Sequence, residues 1–283
     1  MTADPLGSDR LGSDRLSLNQ ATVKHLDLAQ SVDLCVRHQI PAIGLWRDRV
    51  AEAGLRRSVA TVQAAGLHVS SLCRGGFFTH PDGPARADAL ADNRQAIAEA
   101  AELGADTLVL VPGGLPPGSR DLPLARRMVA DAIADLVPTA QRQGVRLGIE
   151  PMHPLFCAGR GVVSTLGDAL DLASQFPAEA VGVVVDSYHV WWDSQLQAQL
   201  DRARGRVVSV QLCDWVVPLP ADALLGRGHL GDGVIDFPPM MAALLATGYT
   251  GFMEVEIFNQ EVWDAPADQT AATVRQRFAG LLG

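Results

Sequence analysis

Lysine is nearly absent. The 283-residue chain carries one, Lys24, so almost all of its 23 positive charges are arginine. That excludes a P-loop, which needs a lysine after its glycine run, and disfavours a Schiff-base enzyme. Positive charge is also short overall. The formal net charge is −9, whereas a protein that binds a phosphate backbone carries a basic surplus. No apolar run reaches the ~18–20 residues needed to span a bilayer, and the start shows no signal-peptide pattern. Neither a membrane nor a nucleic acid is expected as a partner, and the expected location is the cytoplasm. Cysteine is scarce too: Cys35, Cys73, Cys157 and Cys213 lie far apart in apolar runs. That is neither a disulfide framework nor a thiolate cluster, and all four read as buried thiols.

What is present is a repeated unit. A polar tandem repeat, "LGSDRLGSDR", occupies residues 6–15 and is expected to belong to a disordered tail over residues 1–15. Beyond it, short apolar runs alternate with longer segments of helical periodicity. The strand candidates are 16–22, 41–46, 67–73, 105–111, 145–150, 181–186, 207–212 and 251–258. A typical intervening segment is "ARADALADNRQAIAEAAELG", with Gly104 as its stop. Eight such alternations fit a parallel sheet covered by helices, and eight is the number that closes a (β/α)8 TIM barrel, here a single α/β domain over residues 16–283. The open doubly wound sheet is the alternative. It would more often place a glycine-rich phosphate loop after the first strand, and "LNQATVK" has none.

In such a barrel the functional groups sit at the C-terminal strand ends. Strand 5 ends on Glu150, strand 6 on Asp186 with His189 three residues later, strand 7 near Gln211 and Asp214, and strand 8 near Glu256. A single glutamate at a strand end is more often solvated or paired with arginine. Four acidic or amide groups on successive strands are harder to reach by chance. Converging carboxylates repel in a low dielectric, and one divalent cation relieves them. Oxygen donors suit Mn²⁺ or Mg²⁺, with Gln211 or Asp214 able to complete the set. Glu254 shares the inward face with Glu256 but lies a layer deeper, and needs a partner, such as an arginine. Trp46, Phe77, Phe78, Trp191 and Trp192 could line the mouth as an apolar wall for a sugar ring.

The stretches "LGIEPMHP", "VVVDSYHVWWD", "VVSVQLCDW", "LGRGHLGDGVIDF" and "GYTGFMEVEIF" resemble the xylose-isomerase-like sugar isomerase/epimerase superfamily. It includes ketose 3-epimerases, hydroxypyruvate isomerase and inosose dehydratase. The resemblance implies a (β/α)8 barrel with metal ligands at Glu150, Asp186, Gln211 and Glu256, and a substrate-binding histidine at His189. Gln211 stands where many members have histidine, which weakens a ketose 3-epimerase assignment. The arginine that such epimerases carry after strand 7 is missing from "CDWVVPLP", so Arg227 and His229 are its expected substitutes, with Trp46, Arg74 and Trp191 as further substrate contacts. The expected chemistry is proton transfer by Glu150 and Glu256 through a metal-stabilised enediolate, with His189 donating a hydrogen bond. The expected ion is Mn²⁺, with Mg²⁺, Co²⁺ or Zn²⁺ as substitutes. A lyase outcome, eliminating a β-substituent from an inosose or a 3-keto-glycoside, uses the same apparatus. An apurinic endonuclease and a non-catalytic carbohydrate-binding subunit are the remote alternatives. The resemblance also implies a homodimer or homotetramer.

Overall fold

The computed structural model describes residues 12–282. Eight parallel strands close into a barrel in chain order, the last pairing with the first. They are β1 (Leu16–Asn19), β2 (Ala42–Trp46), β3 (His68–Gly76), β4 (Thr107–Val111), β5 (Arg146–Ile149), β6 (Val181–Asp186), β7 (Val207–Leu212) and β10 (Met253–Val255). Helices cover the outside, and the apolar strands pack against them. Buried residues such as Leu18, Ile43, Leu147, Val183 and Val210 join helix residues such as Leu34, Ile97, Ile133 and Phe278 in one core. The helix Pro84–Leu103 ends where the sequence indicated, on Gly104 in the left-handed region (φ 66°), a conformation that costs glycine nothing. No helix among the described residues is long and apolar enough to cross a membrane.

Several boundaries differ from the sequence reading. Strand 1 stops at Asn19 because its side chain accepts a hydrogen bond from Ala21 N (3.0 Å) and turns the chain into a 3-10 helix, Gln20–Val23. Strand 3 runs on to Gly76. Strand 8 is only Met253–Val255, although Glu256 N still donates to Leu212 O (3.1 Å). Ser13–Arg15, inside the expected tail, form a 3-10 turn, and Arg15 donates to the carbonyls of Tyr249 and Gly251. The rest of that tail, residues 1–11, lies outside the described residues. Cys35, Cys73 and Cys213 are buried free thiols, and Cys157 is half-buried.

Above the barrel, β8 (Asp214–Trp215) and β9 (Arg227–Gly228) form a small antiparallel pair, with Trp215 opposite Arg227. This pair was not legible in the sequence, and it carries Arg227 over the strand ends.

Candidate active site

Register brings the strand-end groups together. Asp186 is paired with Gln211 across β6 and β7, and Glu254 with Gln211 across β10 and β7. Glu150 follows β5 directly and Glu256 follows β10 directly. All four groups expected as ligands, Glu150, Asp186, Gln211 and Glu256, are buried. Glu150, Gln211 and Glu256 line a cavity with about 540 Å³ of open space, its mouth included, and Asp186 lies behind them.

Glu150, Asp186 and His189 offer ligand atoms all within 4.8 Å of one another, close enough to hold a metal ion. His189 Nε2 lies 3.8 Å from Glu150 Oε1 and 3.7 Å from Asp186 Oδ2. The ring's other nitrogen, Nδ1, accepts a hydrogen bond from the backbone N–H of His153 (3.1 Å). Nε2, the atom directed at the carboxylates, lies 3.2 Å from Arg227 Nη2, which like the His153 amide can only donate, so the two contacts favour opposite tautomers of the neutral ring. Burial, with the charge of Arg227 added, holds the pKa of His189 well below the usual histidine range, so the ring is neutral.

Arg227 is the unexpected centre of the site. It is 2% exposed. Its Nη2 lies 3.0 Å from Asp186 Oδ2, and its Nη1 lies 3.0 Å from Glu256 Oε2. Its guanidinium also stacks over Tyr188 and Phe258, at 4.7 and 5.1 Å from the ring centroids. The sequence reading made Arg227 a substrate contact. The structure places it on the carboxylates as well as on the cavity wall.

Burial raises the carboxyl pKa values of this cluster. Glu150 is pushed well up by burial and by the charges of Asp186 and Glu256. Asp186 is raised by burial, against the pull of Arg227. Glu256 is raised to about 8 by burial, again opposed by Arg227. Three carboxylates around one guanidinium are short of positive charge.

One oxygen shows room for more. Gln211 Oε1 is buried without a hydrogen-bond partner among the described residues, whereas Asp186 Oδ2 has its ion pair with Arg227. Buried oxygens normally find a donor, so an unpartnered one beside clustered carboxylates suits a cation. Gln211 is oriented through its amide nitrogen, which donates to Glu256 Oε1 (3.5 Å), leaving its carbonyl oxygen free.

Asp214, the alternative ligand from strand 7, is otherwise engaged. Oδ1 accepts from Trp215 N (2.8 Å) and Ile235 N (3.0 Å), and Oδ2 accepts from Gly231 N (2.9 Å). It staples the "GDGVIDF" loop to the barrel. Gly233 is required there, because a Cβ would meet Trp215 O at 2.1 Å. Glu254 has no arginine partner among the described residues. Its oxygens accept from Asn19 Nδ2 (2.7 Å) and Ser70 Oγ (2.8 Å), and Gly44 leaves the space for its carboxylate.

The expected substrate contacts divide. Trp46 and Arg74 line the cavity, together with His189 and Arg227. Trp46 is fixed by a hydrogen bond from its Nε1 to Asn19 Oδ1 (2.8 Å) and by edge contact with Phe258. His229 and Trp191 do not line it. Trp191 packs on Trp215, and the ring of His229 feels the charges of Asp232 and Arg277. Of the other aromatics, Phe78 is buried core, and Trp192 donates to His189 O (2.8 Å). The sequence reading missed Arg160, Met152, Leu224 and Phe258 on the cavity wall. Arg160 sits in the loop after β5, ten positions beyond Glu150; its one sequence signal is an arginine set between glycines in "AGRGV".

Comparison with known proteins agrees with this architecture. Protein SMc04130 from Sinorhizobium meliloti is 47% identical in sequence, with a TM-score of 0.92 over 95% of this chain and 98% of that one. The IOLI protein with a bound zinc atom shares the fold at a TM-score of 0.83 and 20% identity, over 95% and 98% of the two chains. An inosose isomerase of Bacillus velezensis is 24% identical over 91% of this chain and 93% of its own length. A 3-dehydroshikimate dehydratase of Pseudomonas putida is 32% identical over 60% of this chain, but that match spans only 26% of the dehydratase. A family model described as xylose isomerase-like TIM barrel matches residues 29–278, most of the barrel, and the chain therefore belongs to that family.

Proposed function

We propose that the protein is a metal-dependent isomerase or epimerase of a ketose or keto-sugar, with Glu150, Asp186, Gln211 and Glu256 as the ligands of one divalent ion. The observation that carries this reading is the buried cluster at the ends of β5 and β6, where Glu150, Asp186 and His189 offer ligand atoms within 4.8 Å of one another, with Gln211 Oε1 on β7 left without a hydrogen-bond partner among the described residues. The donors are all oxygen, which favours Mn²⁺, with Mg²⁺, Co²⁺ or Zn²⁺ as substitutes. The IOLI protein, which shares the fold, was solved with a bound zinc atom, and that supports a divalent ion here. When bound, the ion supplies Lewis-acid polarisation of the substrate oxygens.

The chain's own residues divide the remaining work. Glu150 and Glu256 leave different strands and approach the cavity from different sides of the barrel wall. One removes the proton α to the carbonyl and the other returns it, to the opposite face for epimerisation or to the neighbouring carbon for isomerisation. Burial raises both carboxyl pKa values, that of Glu256 to about 8, which favours a group that can both take and give a proton. His189, neutral and oriented through Nδ1 by the His153 amide, presents Nε2 to the oxygen on which charge develops. Trp46 and Phe258 shield one wall from water.

The match to the Pseudomonas putida dehydratase supports a second reading, elimination from the same enolate. Two measurements test the proposal. Metal analysis should find about one divalent ion per chain after Mn²⁺ loading. Solvent deuterium should enter a ketose or keto-sugar substrate only with metal present. Loss of a β-substituent in the same assay would select the dehydratase. Absence of both metal and exchange would refute the proposal.

A further inference from the structure

Arg74 and Arg160 line the cavity on which Glu150, His189, Arg227 and Glu256 also border. Both are half-buried. Neither side chain makes a hydrogen bond or ion pair with any described residue, and Arg74 has only the face of Phe77, 4.2 Å from its guanidinium carbon. Contrast Arg47, one strand away, whose guanidinium is held by Asp92 and Glu99. An arginine beside several carboxylates normally pairs with one.

The two side chains are also close enough to disfavour each other. Burial and then the like charge of Arg160 lower the pKa of Arg74. The loop that carries Arg160 is not free to swing away. Gly113 N donates to Arg160 O (2.8 Å), Val162 N donates to Gly113 O (2.9 Å), and Arg160 N donates to Phe156 O (2.8 Å). Gly114 lies so near that loop that a Cβ would meet Ala158 O at 2.2 Å. Two arginines therefore stand at one cavity wall with no carboxylate of the described residues bonded to either guanidinium, although Arg74 is near enough to Glu150 and Asp48 to feel their charge.

Charge balance says what belongs there. Glu150, Asp186 and Glu256 carry three negative charges when ionised, matched by Arg227 and one divalent ion. Arg74 and Arg160 remain as the excess. We infer that the substrate is an anionic hydroxy-ketone, its carboxylate or phosphate group held by Arg74 and Arg160 while its ketol end faces Glu150, His189 and Glu256. This rests on the enolising reading above and names its substrate class. It also assigns Arg160 a role in specificity.

The test uses three non-enolisable probes, ribitol, ribonate and ribitol 5-phosphate, titrated calorimetrically into the Mn²⁺-loaded and metal-free full-length protein. At least one anionic probe should bind the loaded protein about thirtyfold or more tighter than ribitol. Arg74→Gln and Arg160→Gln should each remove about tenfold of that preference, the scale of one charge-assisted pair, without changing ribitol binding. Arg74→Lys and Arg160→Lys should keep part of it, which separates recognition from a folding defect. Which anion wins distinguishes carboxylate from phosphate. Equal binding of all three probes would overturn the inference. So would a preference that survives both glutamine substitutions, because it would then come from chelation at the carboxylates. Deuterium exchange into ketoses separates the two readings. Exchange without anion preference refutes only this inference, and arginine-dependent preference without exchange refutes only the enolising activity.

Discussion

Replacing Arg227 with methionine isolates the charge at the centre of the site. The guanidinium makes two ion pairs of 3.0 Å, to Asp186 and Glu256, with all three groups buried. At an effective dielectric of ~20, each pair is worth ~5–6 kcal/mol of Coulomb energy before desolvation is subtracted. Desolvation offsets most of this. Removing one partner of a buried pair nevertheless costs about 3–5 kcal/mol, because the remaining charges stay buried. For a chain of this size that is a fall in Tm of roughly 6–20 °C. The loss must depend on pH. Burial already lifts Glu150, Asp186 and Glu256 above the unfolded carboxylate range, and losing the arginine lifts them further. A group whose folded pKa is raised lends stability below its unfolded pKa of about 4, and loses it as pH rises through the folded value. The metal-free variant should therefore lose little near pH 5, where the carboxyls take up protons, and most near pH 8. Saturating Mn²⁺ should restore part of the loss at pH 8. Scanning calorimetry of both proteins across pH, with and without Mn²⁺, measures this. A Tm change below about 2 °C at pH 8, or one that does not vary with pH, would refute the placement of Arg227 as counter-charge.

Other outcomes follow from the same geometry. Glu150→Gln and Glu256→Gln should each lower solvent deuterium exchange by about 10²–10⁴-fold with the circular dichroism spectrum unchanged, since each removes one proton acceptor; full exchange in both would show that neither is a base. In the parent protein, Mn²⁺ at about 100 times its Kd should add ~2.7 kcal/mol of stability near pH 8 and progressively less on acidification, as protons compete for the raised carboxyls; a thermal shift that grows toward low pH would contradict the ligand set. Asp214→Ala strands the amides of Trp215, Gly231 and Ile235, at about 1–3 kcal/mol for each that stays dry. It should lower Tm while leaving one metal per folded chain, and loss of the metal instead would make Asp214 a ligand. Glu254→Leu should destabilise by about 2–5 kcal/mol through unpaired Asn19 and Ser70, and Glu254→Gln by less, in urea melts.

By itself, the sequence determined the barrel and the rim. Strand periodicity is local, so the runs around Val183, Val210 and Leu108 declare themselves. Parallel topology then forces every C-terminal strand end to one face, which is why Glu150, Asp186, Gln211 and Glu256 could be read as neighbours from residues far apart in the chain. The loops are different. Their side chains are placed by contacts with no period and no short range. Arg227 reaches Asp186 because β8 and β9 pair across an eleven-residue loop, residues 216–226. Asp214 has the same strand-end position as a ligand, yet its oxygens are taken by amides up to 21 residues away. Glu254 found Asn19 and Ser70 on β1 and β3 rather than an arginine, because barrel closure sets β1 beside β10. Arg160 faces the cavity only because its loop is tied to Gly113 on the neighbouring strand's exit. Where charge sits along a strand is a property of the chain, and what balances that charge is decided by which loops fold over it.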